Sequence, residues 1–207
     1  MSQSHESETF DPQKARKPAS TAREDWESIK FLSDPQVAAF FRQIRSVRDT
    51  ALFRVIYHRG LRASEPALID LKDWDHANGM LTIRQRKGSR GGKYRCVEIE
   101  AKAIRAWIKH RGVAPGPLFV SRNHRAIGRR QVHRLMRQYA LSAGIPADLA
   151  HPHSLKHTSG TKTLELLGDL YLVKEHLGHR SIQSTEAYAR VTGKTREEMA
   201  DRLRDWK

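Results

Sequence analysis

The chain has 207 residues, with 38 lysines and arginines against 23 aspartates and glutamates and a formal net charge of +15. Its longest apolar runs are far too short to cross a bilayer, and its first residues lack the apolar segment of a secretory signal. Its one cysteine, Cys96, excludes an intramolecular disulfide and sites built from several thiolates, and it fits a reducing, cytoplasmic location.

The positive charge belongs to the part of the chain that is expected to fold. Residues 1–30 carry five basic and six acidic side chains, and the remaining 33 basic and 17 acidic side chains give residues 31–207 a net charge of +16. A basic folded domain of this size most often binds nucleic acid, with generic surface charge as the alternative. Residues 1–30 are rich in Ser, Glu, Lys and Pro without an apolar period, which predicts a disordered tail or linker before one domain over residues 31–207.

Three helices are predicted at the start of the domain. Ser33 or Asp34 can cap the first, with Pro35 at its first position. A second helix stops at Gly60, and Ser64 can cap a short third helix.

A small antiparallel sheet is predicted next. Asp73–Trp74 and Met80–Arg86 are expected to form strands around a turn, because apolar and polar residues alternate in the second of them. The glycine-rich segment 87–92 must turn the chain, and Tyr94–Ile99 is expected to return as a third strand.

The rest of the chain has helical periodicity interrupted by glycines. The predicted helices are Ala101–Arg111, Gly128–Ala143, Ser154–Leu167, Leu170–Leu177, Ile182–Val191 and Thr195–Trp206. The expected fold class is therefore α+β, mainly α-helical, with a small antiparallel sheet of about three strands.

Four segments carry residues suited to phosphate chemistry: GLRASE at Gly60–Glu65, RQRKGSRGGKYR at Arg84–Arg95, HPHSLKHTSGT at His151–Thr161 and LGHRSIQSTEAY at Leu177–Tyr188. In this order and at these separations they resemble the tyrosine recombinase (phage integrase) family over roughly residues 31–207. The resemblance is to the catalytic domain alone, and the short fimbrial phase-switch recombinases have a similar length and layout. It implies a site-specific recombinase that cuts and rejoins DNA by transesterification through a 3′-phosphotyrosyl intermediate, without a metal or other cofactor.

Arg62 lies in the first segment, on the corner between two predicted helices. A guanidinium presents a planar fork that fits two phosphate oxygens. The resemblance implies that Arg62 binds the scissile phosphate and that Glu65 helps to hold the site. An exposed arginine that caps a helix is the alternative.

The second segment is a basic hairpin. The resemblance implies that Lys87, directly before the turn glycine, is the general acid that protonates the leaving 5′ oxygen, and Lys93 is the other candidate. The hairpin residues expected to contact DNA phosphates are Arg84, Arg86, Arg90, Lys93 and Arg95.

The third segment departs from the family pattern, which is His-x-x-Arg followed by His. His153 matches the first histidine and is expected to act as a general base or phosphate hydrogen bonder, whereas Lys156 stands where the family has arginine. Lysine keeps the positive charge but loses the two-pronged fork, so the sequence does not determine the rate of DNA cleavage. A metal cluster or ordinary helix-start histidines are the alternatives for His151, His153 and His157.

The fourth segment has the most specific spacing, with His179 on a corner and Tyr188 nine residues on in the next predicted helix. A phenol is a poor nucleophile near neutral pH unless positive charge or a base helps to remove its proton. A pocket with Arg62, Lys87, His153, Lys156 and His179 would supply both. The resemblance implies that Tyr188 attacks the phosphate and that His179 binds a non-bridging oxygen. A core tyrosine is the alternative for Tyr188.

The expected partners are double-stranded DNA and further copies of the chain, as a tetramer on synapsed sites, with no membrane. Thr195–Trp206 is an amphipathic candidate for exchange between subunits. Two other functions remain open: a type IB topoisomerase-like relaxing enzyme, and a DNA-binding relative with weakened or lost catalysis. The sequence leaves open the DNA target and the choice among integration, excision, inversion and resolution.

Overall fold

The computed structural model describes residues 29–84, 91–179 and 181–191. Over these residues the chain forms seven α-helices and a three-stranded antiparallel sheet, which confirms the mainly helical α+β class. The helices are α1 (Asp34–Gln43), α2 (Val47–Arg59), α3 (Glu98–Arg111), α4 (Arg129–Ser142), α5 (Pro152–Leu167), α6 (Leu170–Leu177) and α7 (Gln183–Val191). The strands are β1 (Trp74–Asp75), β2 (Met80–Ile83) and β3 (Gly92–Arg95).

Local signals set most of the helix ends. Ser33 caps α1: its side chain accepts from the backbone of Gln36, whose side chain accepts from the backbone of Ser33 in return. Gly60 ends α2 in the left-handed conformation, with φ of +55°. The predicted helix capped by Ser64 is wrong. Only a single 3₁₀ turn forms, at Pro66–Leu68, and the Glu65 side chain before it bonds back to Arg62.

The sheet is a meander in the order β1-β2-β3, with Leu81 paired to Trp74 on one side and Tyr94 on the other. The predicted period of two in β2 is confirmed, since Leu81 and Ile83 are buried between less buried neighbours. The predicted strand Tyr94–Ile99 is wrong beyond Arg95. The chain enters α3 instead.

Glu100 explains this early helix start. Its carboxylate accepts a hydrogen bond from the backbone N–H of Val97 and forms a buried ion pair with Arg59 at 2.6 Å. The contact with Val97 requires a helical turn over residues 97–100, because in a strand Glu100 could not fold back onto Val97. The apolar Ile99 is left exposed on that turn.

The helix α2 lies at the centre of the domain and packs against α3 and α5. The main core includes an edge-to-face aromatic cluster of Phe40, Phe53 and Tyr139. A second, smaller core joins α5, α6 and α7 through Leu164, Val173, Leu177 and Tyr188. The helices α5, α6 and α7 therefore meet in this second core, and α2 also packs against α5.

The first described residues of the chain contact the rest of the domain. Ile29 packs against the second core and Lys30 pairs with Asp148, whereas residues 1–28 and the predicted helix Thr195–Trp206 lie outside the described residues.

Within the described ranges, no helix combines the length and apolar character needed to cross a membrane.

Candidate active site

Arg62 lies on the corner that follows α2. Gly60 ends the helix, and Glu65 then accepts from both the backbone N–H of Arg62 at 2.7 Å and its guanidinium at 3.0 Å. The Glu65 side chain is 1% exposed, while that of Arg62 is 41% exposed. Glu65 therefore orients the guanidinium, which still faces solvent in part and can contact a ligand.

Lys156 lies on the buried side of α5 and is 2% exposed. Its ammonium donates to the backbone carbonyls of Gly60 at 2.6 Å and Leu177 at 3.0 Å. These carbonyls lie at the carboxyl ends of α2 and α6, where helix dipoles favour a positive charge. Burial, followed by the charge of Arg62, lowers the pKa of Lys156 to about 8, and Glu65 opposes this shift. Lys156 thus joins the two helix ends that lead into Arg62 and His179.

Tyr188 enters the same place from α7. Its side chain is 2% exposed, and its hydroxyl lies 2.9 Å from Nδ1 of His157. The ring lies directly against Gly160, one turn further along α5. Burial raises the pKa of Tyr188, and the positive charge of Arg62 opposes that increase. The phenol therefore extends from α7 and packs against α5, and it is protonated at neutral pH.

Two further histidines, His153 and His179, lie beside the His157–Tyr188 pair. The rings of His153 and His157 pack edge to face with centroids 4.5 Å apart, and the His179 ring lies 6.4 Å from that of Tyr188. Nδ1 of His179 is 3.1 Å from the Thr185 hydroxyl. Burial is the main cause that lowers the pKa of His153, and it lowers those of His157 and His179 to about 4. All three imidazoles are consequently neutral near pH 7.

The structure brings together five of the six residues predicted to be catalytic: Arg62, His153, Lys156, His179 and Tyr188. The charge of Arg62 acts on each of the other four. The sixth, Lys87, lies outside the described residues, as do Arg86 and Arg90. In the described part of the hairpin, Arg84 pairs with Asp73, Lys93 pairs with Asp75, and Arg95 is exposed.

Sequence reasoning missed two contacts in this pocket. The sequence predicts for His157 only a motif position, a metal ligand or an ordinary helix-start histidine, whereas the structure places it against the Tyr188 hydroxyl. Thr185 lies one helical turn before Tyr188, and its hydroxyl contacts Nδ1 of His179. The signal for His157 is its position four residues after His153, on the same helix face. Among the described residues, no group of three or more His, Cys, Asp or Glu side chains is arranged to hold a metal ion.

A second basic region was also missed. We call it the α4 basic surface, and it consists of exposed arginines on α4 and on the loop before it: Arg122, Arg125, Arg129, Arg130, Arg134 and Arg137. None of these six forms an ion pair with a described carboxylate. The helix α4 packs against α5, and the charge of His151 at the start of α5 acts on His133 of α4.

Replacing Gly160 by alanine is expected to lower the free energy of unfolding by about 1–3 kcal/mol, because overpacking forces neighbouring groups to move. A Cβ at this position would lie 2.5 Å from Cε1 of Tyr188 and 2.9 Å from Cδ1 of Leu177. Urea unfolding measures the loss. Gly128→Ala is the control, since nothing lies within 4 Å of its Cβ position. Equal stability of the two variants would contradict the packing of Tyr188 on α5.

Stability is expected to fall as the pH drops from about 6.5 towards 4. Burial lowers the pKa values of His58, His157 and His176 to about 4 in the folded state, below the value of about 6.5 in an unfolded chain. The unfolded state therefore binds more protons in this pH window. At the acidic end of the window, each of these histidines lowers the free energy of unfolding by up to about 3 kcal/mol. Urea unfolding at pH 7.5 and 5.0 measures the difference.

The variant His58→Phe provides the control for this pH dependence. Nε2 of His58 is buried without a hydrogen-bond partner among the described residues, so phenylalanine removes a proton-binding group without breaking a bond. We expect a weaker pH dependence in this variant. Identical stability of the unsubstituted protein at the two pH values would contradict the burial of these histidines.

Comparison with known proteins agrees with the family resemblance of the four motif segments. The sequence pattern described as the phage integrase family matches residues 30–195. The tyrosine recombinase XerC of Chromobacterium violaceum is 38% identical over 146 residues, which cover 68% of this chain and 47% of that protein. The chain spans about half the length of the curated relatives it matches.

Solved structures share the fold. The XerA recombinase crystal structure superposes with a TM-score of 0.72 at 24% identity, covering 86% of this chain and 64% of that one. The Tn1549 transposon integrase in complex with transposon right end DNA gives a TM-score of 0.71 at 22% identity, covering 87% of this chain and 68% of that one.

Proposed function

Since the chain belongs to the phage integrase family, we propose that it is a site-specific DNA recombinase that cuts and rejoins duplex DNA through a covalent link to Tyr188. One observation carries this proposal. The hydroxyl of Tyr188 is held at 2.9 Å from an imidazole nitrogen, inside a pocket to which Arg62, His153 and His179 all contribute.

The proposed reaction is a transesterification. The Tyr188 oxygen forms a bond to phosphorus, the bond from phosphorus to the 5′ oxygen breaks, and Lys87 gives the leaving oxygen a proton. Arg62, His153 and His179 bind the non-bridging oxygens, where negative charge develops. Rejoining is the same reaction in reverse, so it needs no ATP and no cofactor.

Lys156 has a supporting role in this proposal. Its ammonium bonds to the carbonyls of Gly60 and Leu177, and these residues directly precede the segments that carry Arg62 and His179. A lysine here keeps both phosphate-binding residues at a fixed separation and adds positive charge behind them. Its replacement of the family's arginine is therefore compatible with activity.

We further propose that the α4 basic surface and the hairpin residues Arg84, Arg86, Arg90, Lys93 and Arg95 bind the DNA backbone. The net charge of +16 on residues 31–207 and the position of α4 beside His151 support this. The solved relatives give further support, since the Tn1549 integrase structure contains transposon right end DNA. Residues 31–207 would form the catalytic domain, acting in the cytoplasm at the nucleoid.

Arg130→Ala is expected to weaken duplex binding to a similar extent on all sequences. It should also reduce the slope of log affinity against log salt concentration by about 0.9, because one phosphate contact is lost. Fluorescence anisotropy over a salt series measures both effects. Lys109→Ala, an exposed change of equal charge on α3, is the control and should change the slope little. Equal slopes for Arg130→Ala and the unsubstituted protein would contradict the assignment.

Covalent trapping tests the proposed activity itself. Nicked duplexes carrying DNA from the flanks of the gene should yield a protein–DNA adduct that survives denaturation, because the nick releases the 5′ fragment and prevents rejoining. A mixture of two labelled sites then reports strand exchange, which we expect from a synaptic tetramer. Relaxation of supercoils without exchange would favour a topoisomerase-like activity. Binding without any adduct would favour a DNA-binding relative that lacks catalysis.

A further inference from the structure

The role of His157 goes beyond the motif assignments, which give the phosphate-binding and proton-transfer roles to other residues. The hydrogen bond between its Nδ1 and the Tyr188 hydroxyl is the only one that this hydroxyl makes to a described residue. His153, the histidine that the motif suggests as a base, contacts the ring of His157 and makes no hydrogen bond to the hydroxyl. Among the two histidines of this helix, His157 is therefore the one placed to exchange a proton with Tyr188.

We propose that His157 accepts the proton of Tyr188 as the phenolic oxygen attacks the DNA phosphorus, and that it is the general base of the cleavage step. This inference rests on the proposed recombinase function. The proton moves from Oη of Tyr188 to Nδ1 of His157, while the Oη–P bond forms and the P–O5′ bond breaks. In the rejoining step the imidazolium returns the proton to the phenolic oxygen as the tyrosyl ester is displaced.

The surroundings of His157 suit this role. The groups that act on it are Tyr188 on α7, His153 and Lys156 on α5, His151 directly before α5, and His179 before α7. Burial and the charges of these neighbours favour the neutral imidazole near pH 7, and in the tautomer with its proton on Nε2 the lone pair of Nδ1 accepts from the Tyr188 hydroxyl. The negative charge of a bound phosphate would favour the protonated form again, and would do so only when substrate is present.

Packing fixes the geometry of the pair. The edge-to-face contact with His153 holds one side of the imidazole, while Gly160 allows the tyrosine ring to lie directly against α5. The donor and acceptor are thus held at hydrogen-bond distance before substrate arrives, which general base catalysis requires.

The variant His157→Asn tests the inference most sharply. The Asn amide oxygen can accept a hydrogen bond near the position of Nδ1, so it can retain Tyr188 in place, but it cannot take up a proton. We expect single-turnover adduct formation on a nicked duplex to slow about 10²–10³-fold, with DNA binding unchanged. His157→Ala should slow similarly and regain rate when free imidazole is added. His110→Ala, an exposed histidine on α3, should react at the unsubstituted rate.

A second change tests whether His157 acts as a general base or only holds Tyr188 in place. Trifluorotyrosine at position 188 has a more acidic hydroxyl and needs less help to lose its proton, so it should reduce the His157→Asn defect at least about tenfold. A rate equal to that of the unsubstituted protein in His157→Asn would overturn the inference. So would a slow rate that neither imidazole nor the fluorinated tyrosine improves. Absence of adducts even with the unsubstituted protein would instead refute the proposed recombinase function.

Discussion

Tyr188→Phe is expected to abolish covalent protein–DNA adducts on nicked duplexes while leaving DNA binding nearly unchanged. The substitution removes only the hydroxyl oxygen, which is the atom proposed to bond to phosphorus. The ring still fills the space against Gly160, so the pocket keeps its shape. Gel electrophoresis under denaturing conditions measures the adduct, and fluorescence anisotropy measures binding.

This variant also carries a small expected cost in stability. Removing the hydroxyl leaves Nδ1 of His157 without its partner, which should lower the free energy of unfolding by about 1 kcal/mol. Tyr171→Phe is the matched control, because that tyrosine is exposed on α6 and lies outside the pocket. Adducts that persist in Tyr188→Phe at the unsubstituted rate would assign the nucleophile to another residue.

Lys156→Met is expected to lower the free energy of unfolding by about 2–4 kcal/mol and to slow cleavage at least about 10²-fold. Methionine fills much of the same volume but leaves two buried carbonyls, of Gly60 and Leu177, without a donor. The carboxyl ends of α2 and α6 are then free to separate, which displaces Arg62 from His179. Urea unfolding and single-turnover cleavage measure the two effects.

Two further variants make this prediction specific. Lys156→Arg keeps the charge and can donate to both carbonyls, so cleavage should be preserved or raised. Lys162→Met removes another lysine of α5, one whose partners are the exposed carboxylates of Asp34 and Glu165, and should cost less than about 1 kcal/mol. If Lys156→Met were as stable and active as Lys162→Met, the bridging role of Lys156 would be wrong.

The sequence predicted the fold best where local signals dominate. Gly60 and Gly178 end their helices as expected, because both adopt the left-handed conformation that glycine tolerates. The error at Tyr94–Ile99 has a long-range cause. Alternating residues favour a strand there, but the ion pair from Glu100 to Arg59, forty-one residues away, stabilises a helix. No local pattern contains that partner.

In the candidate site, too, the local motifs were predicted from the sequence and the long-range contacts were not. The motif spacing identified Arg62, His153, His179 and Tyr188 as residues that lie together. It did not identify what Lys156 bonds to, because the carbonyls of Gly60 and Leu177 are backbone groups 96 and 21 residues away. The contact of His157 with Tyr188 likewise depends on how α7 packs on α5, which the spacing of side chains within α5 alone does not determine.

Mapping the residue that holds the DNA tests the central claim most directly. Trypsin digestion of the trapped adduct, followed by nuclease treatment and fragmentation mass spectrometry, should find the nucleotide on the peptide of residues 181–190. That peptide contains one tyrosine, Tyr188, and also hydroxyl groups on Ser181, Ser184 and Thr185. The account predicts a phosphate ester on Tyr188. An ester on one of the other three residues, or on a different peptide, would contradict it.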